Sequence, residues 1–460
     1  MRLYEERVLD DEYRTPAQRD RDRIVHASAF VRLAGVTQVV PPSEEGYLLH
    51  NRMTHSIKVA QVARRIAERL VKEQPEECAA IGGIDPDVVE SAALAHDLGH
   101  PPFGHAGEDA LRRAAFGKED DHLLDAFEGN AQTFRIVTKL GCRAHDYPGL
   151  NLTRATLNAI LKYPWKRGTG GDRREKKWSV YETEDREFDF ARDFDFLQPG
   201  DNRKSAEAEI MDWADDIAYS VHDIEDFYRV GLIPLHRLAT VQDEVDHFLE
   251  TAVARRKKAG LEPEARYTPE ELTDAFNKVL ELFPTSPYMG TERDRTTLRV
   301  NSKQLIGNFV RAIRIRVPAN PREDFVEINK DLAAAVAILK ELTWHYVINN
   351  PSLALQQHGQ KRAVTMLHEE LSKAVRNHNF IIFPPVARDL LQRLSGDDAA
   401  SKELRVRFRG TDDWTAEDYR LHTRRVVVDV IAGMTEQQLL RVYHRLMAIA
   451  PGSAIDRVYL

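Results

Sequence analysis

Apolar residues recur at three- and four-residue spacings along almost the whole chain, which is the period of an amphipathic helix. In residues 54–72 the apolar positions alternate with Lys and Arg at this spacing. The same pattern predicts further helices at about 87–97, 105–115, 128–140, 153–162, 205–230, 236–258, 269–283, 296–316, 327–348, 360–377, 384–395, 415–432 and 436–449. Alternating apolar strands are scarce, and the best candidates are short, at about 35–40 and 404–409. The pattern predicts a mainly α-helical protein.

Composition narrows the class of protein. The 460 residues suggest two or three packed units, or one large helical body with additions. Lys and Arg number 65 against 73 Asp and Glu, and the resulting net charge of −8 disfavours a protein dedicated to coating DNA. The two cysteines, Cys78 and Cys142, form no CxxC pair, which excludes a zinc ribbon and fits a reducing compartment. The charged start shows no signal peptide, and no apolar run is long enough for a membrane span, so we expect a cytoplasmic protein.

A long interruption of the helical pattern lies at residues 163–204. It carries glycines, a basic cluster that includes Lys176 and Lys177, and then an acidic, aromatic stretch. Long insertions of this kind are usually functional, interfacial or mobile, and a solvated surface excursion is the alternative.

The densest candidate chemistry is LAHDLGHPPFGHAGEDAL, residues 94–111. His96 and Asp97 end an apolar helix, and the glycine and prolines that follow supply a turn. His100 and His105 come within nine residues of His96. A single histidine on an apolar helix is more often a core residue, but three histidines and an aspartate at one helix end indicate a site.

Two further segments add candidate groups. His55 opens a helix three residues after Arg52, and by itself it is only a helix-start residue. In residues 209–227 an apolar stripe faces away from a polar face that carries Asp212, Asp215, Tyr219, Asp223 and Asp226. Such a face can be solvated, but close like charges are costly unless a cation lies among them.

Two imidazoles and two carboxylates form a mixed set that suits Mn, Fe, Co or Ni better than Ca. Four protein ligands leave positions open for water, which a metal ion acidifies toward neutral pH. This chemistry suits hydrolysis of a phosphate ester or anhydride.

The order His55, then His96-Asp97, then Asp215 resembles the H…HD…D signature of the HD-domain metal-dependent phosphohydrolases. The phrases HDLGHPPFGHAGE, FEGNAQTFRI, LKYPW and ADDIAYSVHDIED are similar to those of the bacterial deoxyguanosinetriphosphate triphosphohydrolases and related dNTP triphosphohydrolases. The resemblance runs from about residue 18 to about 365, and the residues beyond about 380 match nothing.

The resemblance implies an α-helical metalloenzyme that cleaves dGTP, or another dNTP, into deoxynucleoside and inorganic triphosphate. It implies that His55, His96, Asp97 and Asp215 hold a divalent ion, which could be Mn, Mg, Fe, Co or Ni. His105 and Glu108 would form an acid/base pair, because residues three apart on a helix can touch. Glu128 would support the reaction centre.

The resemblance also implies a substrate site. Arg52 would hold the triphosphate, because a guanidinium forks onto phosphate oxygens, and His100 would add a donor. Tyr219 would pack beneath the deoxyribose and exclude a 2′-hydroxyl, while Gln38 and Asp223 would bind the 3′-hydroxyl. The match at Gln38 needs a one-residue gap. A turn role for Gln38 and a core role for Tyr219 are the alternatives.

The resemblance divides the chain into a catalytic core at 1–230, a part at 231–380 that completes the nucleotide site and an oligomer interface, and a C-terminal helical region at 381–460. Family members assemble as tetramers or hexamers, and some respond to a second nucleotide or bind single-stranded DNA. Two alternative functions stay open. One is another HD phosphohydrolase, such as a 5′-nucleotidase or an alarmone hydrolase, and the other is a non-enzymatic nucleotide- or nucleic-acid-binding regulator.

Overall fold

The protein is described from a computed structural model, which covers residues 1–7, 10–39, 49–116, 123, 125–168, 172–194, 201–258, 267–320, 323–409, 411 and 413–449. The first eleven helices are α1 (Pro16–Val25), α2 (Ser28–Arg32), α3 (Arg52–Glu73), α4 (Pro75–Ala80), α5 (Pro86–Ala95), α6 (Gly104–Phe116), α7 (Gly129–Arg135), α8 (Arg154–Ile160), α9 (Asp172–Lys176), α10 (Asp185–Arg192) and α11 (Ala206–Arg229). The remaining helices are α12 (Leu235–Leu238), α13 (Gln242–Lys258), α14 (Pro269–Leu280), α15 (Glu292–Arg311), α16 (Lys330–Leu342), α17 (Pro351–Arg376), α18 (Pro385–Ser395), α19 (Ala399–Arg409), α20 (Ala416–Ala432) and α21 (Glu436–Leu446). The predicted mainly α-helical class is confirmed.

Short segments of other geometry extend or link these helices. Two π-helical segments, Ile136–Leu140 and Thr343–Ile348, directly continue α7 and α16. Within the described residues the 3₁₀ segments are Leu33–Gly35, Glu182–Glu184 and Phe380–Ile382. In the described part of the chain the sheet consists of β1 (Ile313–Ile315) and β2 (Val326–Ile328), which pair antiparallel with Arg314 opposite Glu327.

The predicted strand at 404–409 is wrong, because these residues belong to α19. Leu404 and Phe408 are one helical turn apart and both are buried, whereas Val406 between them is exposed. The candidate at 35–40 contains only an isolated bridge from Thr37 to Asn51 within its described residues. The predicted helix at 296–316 ends earlier, since α15 gives way to β1.

Local capping sets where the site-bearing helices begin. The side chain of Asn51 accepts from the backbone N–H of Thr54, and Thr54 in return accepts from the backbone of Asn51, so α3 begins at Arg52. The carboxylate of Glu128 caps α7 by accepting from the N–H groups of Asn130 and Ala131. Both caps place a candidate site residue in the first turn or at the N-cap of a helix.

Three helices, α3, α5 and α11, pack against one another and form the centre of the main core, which α1, α8 and α16 extend. A second core cluster joins α6, α17, α18, α20 and α21. None of the helices in the described residues has an apolar stretch long enough to cross a bilayer. The candidate residues lie on α3, α6 and α11 and in the segments before α3, after α5 and before α7.

Candidate active site

Three separate helical elements bring two imidazoles and one carboxylate together. His55 lies in the first turn of α3, His96 directly follows α5, and Asp215 lies in the middle of α11. The Nε2 atoms of His55 and His96 are 3.1 Å and 3.7 Å from the Asp215 Oδ1 atom. One ligand atom from each residue lies within 4.8 Å of the others, which is close enough for all three to share one ion.

The orientation of His96 fits a metal ligand. Its Nδ1 atom lies 2.7 Å from the carbonyl oxygen of Ala93, and because a carbonyl can only accept, Nδ1 carries the proton. The Nε2 atom therefore offers a lone pair, and although it is buried it makes no hydrogen bond within the described residues. A carbonyl that fixes the tautomer of a histidine in this way is typical of metal-binding histidines. The donor set thus fits a divalent ion.

Asp97 lies beside these three residues, and its carboxylate also contacts His100 and Arg52. Its Oδ1 atom is 3.5 Å from His96 Nε2 and 2.9 Å from His100 Nδ1, while its Oδ2 atom accepts from Arg52 at 2.7 Å. Burial alone would raise the pKa of Asp97, but the charge of Arg52 and the nearby imidazoles outweigh it and hold the pKa well below the usual value. Burial lowers the pKa of His100 to about 4. Asp97 is therefore ionised and His100 neutral at physiological pH.

Lys162 is a site residue to which the sequence analysis assigned no role. Its ammonium lies 2.8 Å from Asp215 Oδ2 and 2.8 Å from Asp212 Oδ1. Burial alone would raise the pKa of Asp215, but the charge of Lys162 outweighs burial and holds the pKa of this carboxyl well below its ordinary value. The lysine was visible in the LKYPW phrase, but its contact across 53 positions was not.

The second cluster lies at the start of α6. His105 is largely exposed, and its Nδ1 atom is 3.1 Å from Glu108 Oε2. The rings of His100 and His105 meet edge to face, with their centroids 5.8 Å apart. His100 thereby connects the His105–Glu108 pair to Asp97, so the two clusters form one continuous site.

Lys177, from the basic cluster of the insertion, completes this second cluster. Its ammonium lies 3.2 Å from Glu108 Oε1 and 3.0 Å from Glu128 Oε1. Burial would raise the pKa of Glu108, yet Lys177 and His105 hold it well below the usual value. Burial raises the pKa of Glu128, and the charge of Glu108 adds to the effect. No local spacing in the sequence distinguishes Lys177 from its basic neighbours.

The residues predicted to bind the sugar lie along α11 and in the segment before α3. Tyr219 and Asp223 follow Asp215 at intervals of one helical turn. Burial raises the pKa of both, so Asp223 favours the neutral acid. Asp223 Oδ2 and Gln38 Oε1 are buried oxygens without a hydrogen-bond partner in the described residues, as expected of atoms that await a ligand. Within these residues no hydrogen bond joins Gln38 to Tyr219 or Asp223.

Comparisons with known proteins identify the family of the chain. The HD domain family matches residues 52–220, and the phosphohydrolase-associated domain family matches residues 385–445, where the sequence analysis found no resemblance. A deoxyguanosinetriphosphate triphosphohydrolase-like protein of Streptomyces coelicolor is 35% identical over 94% of this chain and 93% of its own length. Proteins of the same name from Corynebacterium diphtheriae and Shewanella sp. are 34% and 29% identical over 95% and 98% of this chain and 92% and 96% of their own lengths.

Proposed function

The chain belongs to the deoxyguanosinetriphosphate triphosphohydrolase-like family of HD-domain proteins, and on this premise we propose that it hydrolyses dGTP, or another dNTP, to deoxynucleoside and inorganic triphosphate. One observation carries the proposal. The set of His55, His96 and Asp215, whose ligand atoms are close enough to share one ion, adjoins the exposed, carboxylate-paired imidazole of His105. Together these groups can bind a phosphate and deliver a proton to its leaving group.

The ion would be held by His55, His96 and Asp215, with Asp97 as the fourth ligand, and would be Mn, Mg, Fe, Co or Ni. When bound, such an ion polarises a phosphate oxygen and acidifies water. The partners of Asp97 fit this role, because Arg52 and His100 hold it ionised and fix its position.

In the proposed reaction a water oxygen bonds to the α-phosphorus and the bond from phosphorus to the 5′-oxygen breaks. His105 supplies the proton that the departing 5′-oxygen needs, from Nε2, because its Nδ1 faces Glu108. Glu108 orients the ring, and Lys177 keeps Glu108 ionised and holds it beside Glu128. Deoxynucleoside and inorganic triphosphate are then the two products.

The substrate contacts follow from charge and position. Arg52 and His100 would meet the triphosphate, and the ammonium groups of Lys162 and Lys177 add positive charge on either side. The unpaired oxygens of Gln38 and Asp223 would bind the 3′-hydroxyl, with Tyr219 against the 2′ face of the sugar. A site built to hydrogen-bond a hydroxyl discriminates strongly, since a mismatch leaves buried groups unpaired.

The remaining parts of the proposal concern organisation. We propose a catalytic core at 1–230, a part at 231–380 that completes the nucleotide site and oligomer interface, and a C-terminal region at 381–460. A tetrameric or hexameric assembly in the cytoplasm, a nucleotide effector and single-stranded DNA binding are further proposals from family membership. The mass of the assembly in solution tests the first of these directly.

The deciding experiment is product analysis with the purified protein and each dNTP, singly and in pairs, with the metal content measured. Release of inorganic triphosphate supports the proposal, and stimulation by a second dNTP supports an effector site. Phosphate from a nucleoside monophosphate would indicate a 5′-nucleotidase, and pyrophosphate from an alarmone would indicate an alarmone hydrolase. Binding of nucleotide without turnover in metal-loaded protein would indicate a regulator. The His96→Ala variant should lose metal and turnover together.

A further inference from the structure

The turn between α20 and α21 contacts the segment that precedes α3 and the turn that precedes α6. At its end Glu436, the first residue of α21, accepts hydrogen bonds from the main chain of two distant segments. Its Oε1 atom lies 2.8 Å from Thr37 N and 3.1 Å from Phe103 N, and its Oε2 atom accepts from the Thr37 hydroxyl at 2.7 Å. One carboxylate thus bridges the segment that carries Gln38 and the turn that precedes His105.

Both bridged segments lead straight to candidate substrate contacts. The carbonyl oxygen of Thr37 accepts from Arg52 Nε at 3.1 Å, and Arg52 also donates to Asp97. Phe103 has a φ of +68°, which is uncommon for a residue with a side chain, and it directly precedes α6. A hydrogen bond to its N–H therefore holds a strained turn on which the direction of α6, and so of His105, depends.

A second bridge supports the same turn. Arg32 on α2 donates to the carbonyl oxygen of Met434 at 3.1 Å and to those of Leu98 and His100 at 2.8 Å each. Arg32 thereby links the main chain at Met434 to the first part of the loop that follows Asp97. Glu436 and Arg32 thus connect the turn between α20 and α21 to this loop through two separate sets of hydrogen bonds.

We propose that Glu436 is a positioning residue for the reaction, through which the C-terminal region sets the geometry of the Gln38 segment and the His105 turn. The substrate in this inference rests on the proposed function, whereas the contacts of Glu436 do not depend on it. Glu436 contacts the main-chain N–H groups of Thr37 and Phe103 and the Thr37 hydroxyl, and it would act on the substrate through these segments. It fixes where Gln38 meets the 3′-hydroxyl and where His105 meets the 5′-oxygen.

The kinetic test compares dGTP with 2′,3′-dideoxy-GTP, which lacks the 3′-hydroxyl. In the Glu436→Ala variant the ratio of kcat/KM for dGTP to that for dideoxy-GTP should fall about tenfold, since one hydrogen bond to the hydroxyl is worth about that factor. A lower fraction of folded protein would reduce both constants equally and leave the ratio unchanged. An unchanged ratio therefore overturns the proposal. Glu436→Gln, which keeps one acceptor oxygen for the two N–H groups, should retain most of the ratio even if the alanine variant folds poorly.

Hydrogen exchange gives a readout independent of activity. In Glu436→Ala, amide exchange should accelerate in residues 36–39 and 98–107 and not in the interior of α3. Glu417→Ala is the matched control, because Glu417 also lies in the C-terminal region and, within the described residues, its ion pair is with the exposed Arg420. Unchanged exchange in both loops rejects the positioning role. A wild-type protein that hydrolyses none of the dNTPs rejects the proposed function, while the exchange result still decides the role of Glu436.

Discussion

Three carboxylates of the site, two buried and one half-buried, each have a cation within hydrogen-bond distance. Arg52 accompanies Asp97, Lys162 accompanies Asp215, and Lys177 accompanies Glu108. In each case burial alone would raise the pKa, and the adjacent charge lowers it well below the ordinary value. The carboxylates are therefore ionised at neutral pH, and the cations offset the cost of burying them.

At the residue scale, replacing His105 should affect the chemistry more than the fold. His105→Ala should retain the metal content of the wild type and lose about 10²- to 10⁴-fold in kcat, which is the usual worth of general acid catalysis. His358→Ala, at an exposed position on α17, is the control and should keep the wild-type kcat. A near-normal kcat with dGTP in His105→Ala would reject the acid role.

Tyr219 should govern discrimination against ribonucleotides. Its truncation to alanine opens space at the sugar, and excluding one group by shape is worth about 1–3 kcal/mol. The ratio of kcat/KM for dGTP to that for GTP should therefore fall about 10- to 100-fold, with the metal content unchanged. Tyr13→Ala, at a tyrosine that is 90% exposed, is the control and should keep the wild-type ratio. If the ratio stays constant, the sugar does not lie along this face of α11.

At the scale of elements, α11 combines structural and chemical roles on opposite faces. Ile210, Ala214 and Ile217 are buried in the main core, while Asp215 and Tyr219 face the site. Because the apolar face fixes the rotation of the helix against α3 and α5, it also fixes the direction in which Asp215 points. Core packing thereby determines the distance between the candidate ligands.

The turn after Asp97 packs unusually closely on α7, and this requires glycine at position 99. A Cβ atom there would lie 2.1 Å from the carbonyl oxygen of Gly129 and 2.3 Å from Thr133 N, both main-chain atoms that cannot move aside. Gly99→Ala should lower the free energy of unfolding by about 2–3 kcal/mol, measured from denaturant midpoints. Gly359→Ala on α17, where a Cβ meets nothing within 4 Å, should instead stabilise by up to about 1 kcal/mol. A Gly99→Ala variant as stable as wild type would contradict the close packing.

Glu209 makes the junction of α11 and β2 sensitive to pH. Burial and then the charge of Asp324 raise its pKa to about 8, although it accepts from Val326 N at 2.9 Å. Between its ordinary value of 4.5 and about 8, the folded protein holds a proton that the unfolded chain releases. The contribution of this group to stability is therefore full below about pH 4.5 and is lost as the pH rises toward 8.

Glu209→Gln removes this titration while keeping an acceptor for Val326. The variant should match wild type at pH 5 and exceed its free energy of unfolding by about 3 kcal/mol at pH 8. Glu250→Gln, at an exposed glutamate on α13, should show no such divergence. Parallel stability profiles of wild type and Glu209→Gln between pH 5 and 8 would show that Glu209 is ionised in the fold.

At the scale of the molecule, the C-terminal region and the catalytic part share buried ion pairs. Arg135 on α7 donates to Glu184 at 2.7 Å and to Asp429 on α20 at 2.7 Å. Arg425 on α20 pairs with Asp125 and lies over the ring of Tyr181, 3.7 Å from its centroid. The hydroxyl of Tyr181 in turn contacts the main chain of Glu128. These contacts join the two core clusters at the level of the site.

Breaking one of these pairs should cost more than breaking an exposed pair. Asp429→Ala leaves the fully buried Arg135 with a single acidic partner and should lower the free energy of unfolding by about 3 kcal/mol. Asp389→Ala removes a pair with Arg393 whose carboxylate is exposed and 3.8 Å away, and should cost less than about 1 kcal/mol. Equal midpoints of chemical denaturation for the two variants would show that the buried pair adds no stability.

The sequence by itself determined the helical class and most of the helices, because helical period and capping depend on residues three or four positions apart. Thr268 before α14 is an example, since its capping box with Glu271 involves only neighbouring residues. Local pattern led to the wrong prediction at 404–409. Alternating apolar and polar residues suggested a strand there, but Leu404 and Phe408 also have the spacing of one helical turn. A pattern six residues long does not separate the two periods.

The partners across long distances were decided only by the tertiary structure. Lys177, which pairs with Glu108, is 69 positions from it in the sequence, and Glu436, which accepts from Phe103 N, is 333 positions from Phe103. Such contacts depend on how the two core clusters pack, and packing is a property of the whole set of apolar faces rather than of any one segment. The motif residues His55, His96 and Asp215 could be recognised as candidate ligands in the sequence. The pairing of Lys162 with Asp215 and of Lys177 with Glu108 could not, because it depends on how segments distant in sequence pack together.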